Sequence, residues 1–190
     1  GSPCKVLFAV KSFSFIDGLR VMATRLDGFA ASSLFEARLV REASGGDPLH
    51  LTTPGIRPDE VDEIASLCDY VSFNSLGQWL RYRDTFRTST SCGLRVNPQM
   101  SFVDDERYDP CRKHSKLGVP LDDLVSTIKA DSAELSGLEG LLVHSNCDST
   151  DFGEMLATVQ RLQEHLDGLL RGLRWVNLGG GYLFDDATDI

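Results

Sequence analysis

The sequence predicts an α/β fold of the (β/α) barrel class, with parallel strands alternating with helices. Short apolar runs are separated by longer stretches with helical patterning. Polar residues or glycines recur directly after those runs, where βα loops leave a parallel sheet. No linker or repeat interrupts the alternation, and 190 residues are enough for one domain with a real core.

The first strand is expected over residues 5–10, around Val6-Leu7-Phe8-Ala9-Val10, and a helix over 15–26. A second strand covers 28–31, followed by a helix over 34–43 that Ser33-x-x-Glu36 opens as a capping box. Strand 48–51 precedes helix 59–67, with Pro58 where a first-turn proline belongs. Strand 70–73, helix 77–86 and strand 92–96 complete the first half. After a loop over 98–118 come helix 121–134, strand 140–143, helix 152–170 and strand 174–178. That makes seven strands, about one βα unit short of a closed barrel of roughly 250 residues.

Composition narrows the function classes. With 42% hydrophobic and 25% charged residues the chain is neither disordered nor membranous. No stretch approaches the roughly 18 apolar residues of a membrane span, and Gly1-Ser2-Pro3 lacks the character of a signal peptide. The net charge of -9 would repel a phosphate backbone and favour a cationic substrate, so no nucleic-acid partner is expected. The five cysteines are odd in number and lack paired spacing, which points to reduced thiols in the cytoplasm. Cys4, Cys68 and Cys92 read as small buried hydrophobes near strands. Cys111-x-x-His114 and His144-x-x-Cys147 form two short pairs that could hold zinc, but the first lies in a long polar loop and the second follows a strand with another use, so no metal is expected.

The residues after the strands are Lys11, Ser32 and Ser33, Thr52 and Thr53, Asn74 and Ser75, Asn97, His144 and Ser145, and Gly179-Gly180-Gly181. Three glycines leave backbone N–H groups uncovered for a phosphate, or form a tight turn needing positive φ. His144 is either a core histidine or a flat ring stacked on a flat cofactor. Lysines are almost always at the surface, but one delivered by a buried strand can hold an aldehyde if nearby cations and burial ease its deprotonation. Arg38, Arg95, Arg112 and Lys116 are the candidate cations. The loop 98–118, with Asp104, Asp105, Arg107, Tyr108 and Asp109, is long enough to suggest a functional segment. Lysine, imidazole and glycines together describe a site for pyridoxal 5′-phosphate (PLP), an electron sink.

These segments resemble the alanine-racemase-like, fold-type III PLP enzymes, and within them the carboxynorspermidine (carboxyspermidine) decarboxylases. The resemblance rests on Phe8-Ala9-Val10-Lys11-Ser12-Phe13, on the stretch from Asp27 through Ser32-Ser33-Leu34-Phe35-Glu36-Ala37-Arg38-Leu39, and on Phe73-Asn74-Ser75-Leu76-x-Gln78. It continues through Gly93-Leu94-Arg95-Val96-Asn97-Pro98, Tyr108-Asp109-Pro110-Cys111, Ser115-Lys116-Leu117-Gly118, His144-Ser145-Asn146-Cys147-Asp148 and Asn177-Leu178-Gly179-Gly180-Gly181.

The resemblance implies a barrel of the alanine racemase and ornithine decarboxylase class, here about seven βα units. Residues 1–190 would be the incomplete N-terminal PLP-binding domain, with the C-terminal β domain, the acidic partner of the pyridine nitrogen and the second-subunit residues all beyond Ile190. It implies Lys11 as the residue bonded to the cofactor aldehyde, His144 stacked on the ring, and Gly179, Gly180 and Gly181 at the phosphate. Asn74, Cys147 and Asp148 would contact a polyamine-like substrate, and the full-length protein would be a homodimer.

Two departures stand out. Asp148 replaces an expected glutamate, and His50-Leu51-Thr52-Thr53-Pro54 lacks an expected Tyr-Ser-Pro. A sibling decarboxylase acting on diaminopimelate, ornithine or arginine, or a non-catalytic PLP-binding barrel, would share the lysine, histidine and glycine elements.

Overall fold

A computed structural model describes residues 4–103, 105–150 and 152–183. Gly1-Ser2-Pro3 and Asp104 lie outside the described residues. The chain divides into two compact units, Gly1–Gly93 and Leu94–Ile190.

In the first unit the strands β1 (Leu7–Ala9), β2 (Gly28–Ala31), β3 (Leu49–Thr52) and β4 (Tyr70–Phe73) lie side by side in chain order. The described pairings β1–β2, β2–β3 and β3–β4 are all parallel. The helices α1 (Ile16–Ala23), α2 (Leu34–Ser44), α3 (Val61–Leu67) and α4 (Leu76–Phe86) connect them. Parallel neighbours need such crossovers, because a hairpin returns the chain antiparallel.

The alternation of β3 is plain: Leu49 and Leu51 are buried, while His50 and Thr52 on its other face are half-exposed. Phe73 anchors the core of this unit, edge-on to Trp79 at 6.0 Å and to Phe86 at 5.4 Å between ring centres. All three rings are fully buried, and each burial contributes on the order of 2–3 kcal/mol.

Strand β5 (Ser91–Asn97) carries the chain into the second unit. There β6 (Val119–Pro120) pairs with β5, and β7 (Gly140–Val143) lies between β5 and β8 (Trp175–Asn177). The pairings β5–β6 and β7–β8 are parallel. Helices α5 (Leu121–Asp131) and α6 (Gly153–Leu170) complete the unit. Every residue of β7 is buried, the pattern of a strand covered on both faces. Gly140 is required where it faces Trp175, because a side chain there would overlap the indole.

Several boundaries differ from those expected. Eight strands are present among the described residues rather than seven, because β6 is only two residues long and includes a proline. So short a strand carries no alternation to read. The helix expected over 121–134 stops at Asp131, whose carboxylate accepts from the Ala133 N–H and starts a separate 3-10 turn. Pro58 opens a 3-10 turn, Pro58–Glu60, that leads into α3. Cys68 and Cys92 are buried as expected, but Cys4 is exposed, ahead of β1 and outside any core. Among the described residues no helix is long and apolar enough to cross a membrane.

His50 gives the first unit a pH dependence. Its ring stacks on Tyr70, with centroids 4.0 Å apart and planes 8° from parallel. Burial holds its pKa down at about 4 against an ordinary 6.5; Asp69 opposes this and Lys5 reinforces it. Between those values the unfolded chain binds the proton and the folded chain does not, so stability rises with pH across that window. Lowering the pH from 6.5 to 4 should therefore cost on the order of 3 kcal/mol through this group. Urea midpoints of the full-length protein from pH 4 to 7 should show that slope, and His50→Phe should flatten it.

Candidate active site

On the first unit, β1 stops at Ala9 rather than at Val10, so Lys11 is not delivered by the strand itself. It sits in a single 3-10 turn, Val10–Ser12, with its side chain exposed. The Ser12 hydroxyl donates to the Ala9 carbonyl at 2.7 Å and the Phe13 N–H to the Val10 carbonyl at 3.1 Å. Those local bonds close a turn where an extended chain would have continued the ladder.

The polar residues after β2 and β4 are tied into helix starts. Ser33 caps α2 by accepting from the Glu36 N–H, and the Glu36 carboxylate returns to the Ser32 N–H at 2.7 Å and to its hydroxyl. The same device recurs at α4, where Ser75 accepts from the Gln78 N–H and the Gln78 side-chain oxygen accepts from the Asn74 N–H at 2.9 Å. Asn74 is buried. Of the candidate cations, Arg38 is committed to Glu63 through two bonds of 2.6 and 2.7 Å, so it does not serve as a free neighbouring charge.

On the second unit, β7 delivers His144-Ser145-Asn146-Cys147 and β8 delivers the glycine run. The two loops are packed directly on each other. Gly179 has φ +74°, and a Cβ there would lie 2.6 Å from the Val143 carbonyl and 2.7 Å from His144 Nδ1. Gly181 has φ +96°, and a Cβ there would overlap the Asn146 carbonyl. Gly180 faces open space. Both readings of the glycines therefore apply, at different positions: Gly179 and Gly181 meet a backbone requirement, and Gly180 leaves a gap.

The amides of the turn are only partly uncovered. The Gly179 N–H donates to the Asn177 side chain at 2.9 Å, and the Gly180 N–H to His144 Nδ1 at 3.3 Å. Among the described residues the Gly181 N–H has no acceptor, while its carbonyl accepts from the Ser149 N–H at 2.8 Å. The bond from Gly180 makes His144 Nδ1 an acceptor, so the neutral ring carries its proton on Nε2, an assignment drawn from the network. His144 is half-buried and Asp148 is exposed at φ +54°, a left-handed conformation uncommon for residues other than glycine.

The loop 98–118 lies against the His144 loop at two points. Cys111 Sγ contacts the His144 carbonyl at 3.6 Å, and Cys147 Sγ contacts the Tyr108 carbonyl at 3.5 Å. Burial, and then the Asp109 charge, push the Cys111 thiol up to about 12, only partly offset by Arg95. That describes a protonated structural thiol. Among the described residues no group of three or more His, Cys, Asp or Glu is placed to hold a metal ion.

Arg95 is half-buried on β5, and burial lowers its pKa, with the Cys111 thiol acting the other way. Among the described residues it makes no ion pair. Sequence reasoning missed the polar cluster behind the rim, Asn146 with Glu154 and Thr158, because helix α6 supplies Glu154 and Thr158 from eight and twelve residues further along the chain.

No family model matches the chain. It is 37% identical over 183 residues, 96% of its length, to the carboxyaminopropylagmatine decarboxylase of Synechocystis. It is 33% identical over 182 residues, 95% of its length, to the carboxynorspermidine/carboxyspermidine decarboxylase of Campylobacter jejuni. The chain spans about half the length of these curated relatives, 45% of each. The crystal structure of carboxynorspermidine decarboxylase from Campylobacter jejuni, complexed with norspermidine, superposes with a TM-score of 0.80 at 29% identity, covering 94% of this chain and 44% of that one.

In fold and sequence the chain is similar to the fold-type III decarboxylases, whose barrel class its parallel βα units share. Within that class its likeness is to the carboxynorspermidine/carboxyspermidine decarboxylases and their relatives.

The glycine geometry makes a sharp prediction. Gly181→Ala and Gly179→Ala should each cost about 1–3 kcal/mol, from positive φ and overlap with the His144 loop. Gly180→Ala should stay within about 0.5 kcal/mol of the parent. Thermal melting of the three variants reads the order directly.

Proposed function

We propose that the full-length protein carrying this chain is a PLP-dependent decarboxylase of carboxylated polyamines, converting carboxynorspermidine or carboxyspermidine to norspermidine or spermidine and CO₂. The observation that carries the reading is the locked pair of loops bearing His144 and Gly179-Gly180-Gly181, in a chain matched along 95–96% of its length by decarboxylases of this kind. The solved relative's complex with norspermidine supports the substrate class.

On each unit taken by itself, the residue types are those PLP would use. Lys11 is exposed on a turn directly after a strand and would hold the cofactor aldehyde. His144 would face the ring. The open space at Gly180 and the unengaged Gly181 N–H would receive the phosphate. When bound, PLP supplies an electron sink for the charge left on the α-carbon as the carboxylate departs.

The chain's own residues would prepare that step. The Gly180 N–H occupies His144 Nδ1, so a neutral imidazole there carries its proton on Nε2. Asn74, Cys147 and the exposed carboxylate of Asp148 would contact the substrate. A net charge of -9 draws a polycation toward the protein before any specific contact forms.

Residues 1–190 would form one incomplete barrel domain, and a homodimer is the expected assembly. The five cysteines, odd in number and without paired spacing, fit a reducing, cytoplasmic compartment. A second reading is decarboxylation of carboxyaminopropylagmatine, favoured by the 37% identity to the Synechocystis enzyme.

Borohydride treatment of the full-length protein with PLP should bleach a visible band and attach the cofactor to Lys11, and Lys11→Ala should remove both. Attachment elsewhere, or no band, overturns the PLP assignment. Turnover of carboxynorspermidine, carboxyspermidine and carboxyaminopropylagmatine against diaminopimelate then separates the substrates. Preference for diaminopimelate overturns the polyamine reading.

A further inference from the structure

Behind the rim of the second unit lies a buried polar cluster for which the proposed chemistry has no direct use. Asn146 is 1% exposed, and both ends of its side chain are engaged. Its amide nitrogen donates to the Glu154 carboxylate, and its oxygen accepts from the Ser145 hydroxyl at 2.8 Å. The Ser145 hydroxyl is 3.1 Å from the Thr158 hydroxyl, which donates to the Glu154 main-chain carbonyl at 3.0 Å. Glu154 thus meets this loop directly through its side chain, while its carbonyl holds Thr158 within the same helix.

The Asn146 peptide is the surface on which Gly181 packs, so whatever fixes Asn146 also fixes the glycine turn. Beyond Gly181, Ser149 and Tyr182 form an isolated parallel bridge, and Tyr182 stacks on Phe152 at 5.2 Å, just before α6. Burial and then the Glu154 charge push the Tyr182 phenol up. Glu154 lies in the first turn of α6.

We propose that Glu154 is a positioning residue: by holding the buried Asn146 amide it fixes the His144 loop against the Gly179-Gly180-Gly181 turn, and so sets the affinity for the phosphate end of PLP. This rests on the PLP reading above. Removing the carboxylate leaves a buried amide without its acceptor, in a cluster where each bond supports the next.

The test uses the full-length protein with Glu154→Ala and Glu154→Gln. Glu154→Ala should weaken PLP binding by about tenfold or more, while Glu154→Gln, whose oxygen still accepts from Asn146, should stay within about threefold of the parent. Amide exchange in the PLP-free Glu154→Ala protein should quicken in residues 144–149 and 179–183 and not elsewhere. Wild-type PLP affinity in Glu154→Ala, or equal losses in both variants, overturns the proposal. Should Glu154→Ala fail to fold, Glu154→Asp, which draws the carboxylate back, takes its place with the same expectations. If the parent binds no PLP, the proposed function fails and exchange alone decides: localised acceleration supports the positioning role, and unchanged exchange removes it.

Discussion

The backbone of Gly181 rests on the Asn146 peptide so closely that no side chain fits between them, and the rim of the second unit is organised around that contact. Two consequences follow from the close approach. The turn after β8 is held where the Gly180 N–H reaches His144 Nδ1, which fixes the tautomer of the imidazole. The loop after β7 is in turn held from behind, through the Asn146 amide and Glu154 on α6. A site on two loops thereby acquires the rigidity of the strand and helix that flank it.

The first unit organises its rim by different means. Its polar residues after strands work largely as helix starts: Ser33 and Ser75 cap α2 and α4, and Glu36 and Gln78 bond back to Ser32 and Asn74. A polar residue after a parallel strand is therefore ambiguous in sequence, since capping and chemistry favour the same residue types at the same place. Lys11 is one exception among them. It caps nothing, it is exposed, and the turn that carries it is closed by Ser12 and Phe13.

The second unit carries a half-buried cation, a neutral buried thiol and an exposed carboxylate. Arg95 is a half-buried guanidinium without an ion-pair partner among the described residues, and Cys111 is a thiol held protonated by burial and by Asp109. The exposed carboxylate of Asp148 stands at the outer edge of the His144 loop. Cys111 and Cys147 each reach a carbonyl of the opposite loop, so the long segment before β6 is stitched to the rim rather than hanging free.

The sequence by itself determined the alternation of strands and helices, the residues of β2, β4 and β7, and the motifs carried on the strand ends, because hydrophobic period and capping chemistry are local properties. It also carried the likeness to the carboxynorspermidine decarboxylases, since spaced motifs survive where overall identity falls to about a third. Tertiary structure alone decided that Lys11 stands on a turn past the strand, that β6 exists, and that two of three glycines are required by close packing while one leaves space. Only in three dimensions does Glu154 meet Asn146 across a loop and a helix start. Hydrogen bonds between such segments depend on where packing puts them, which no local pattern encodes.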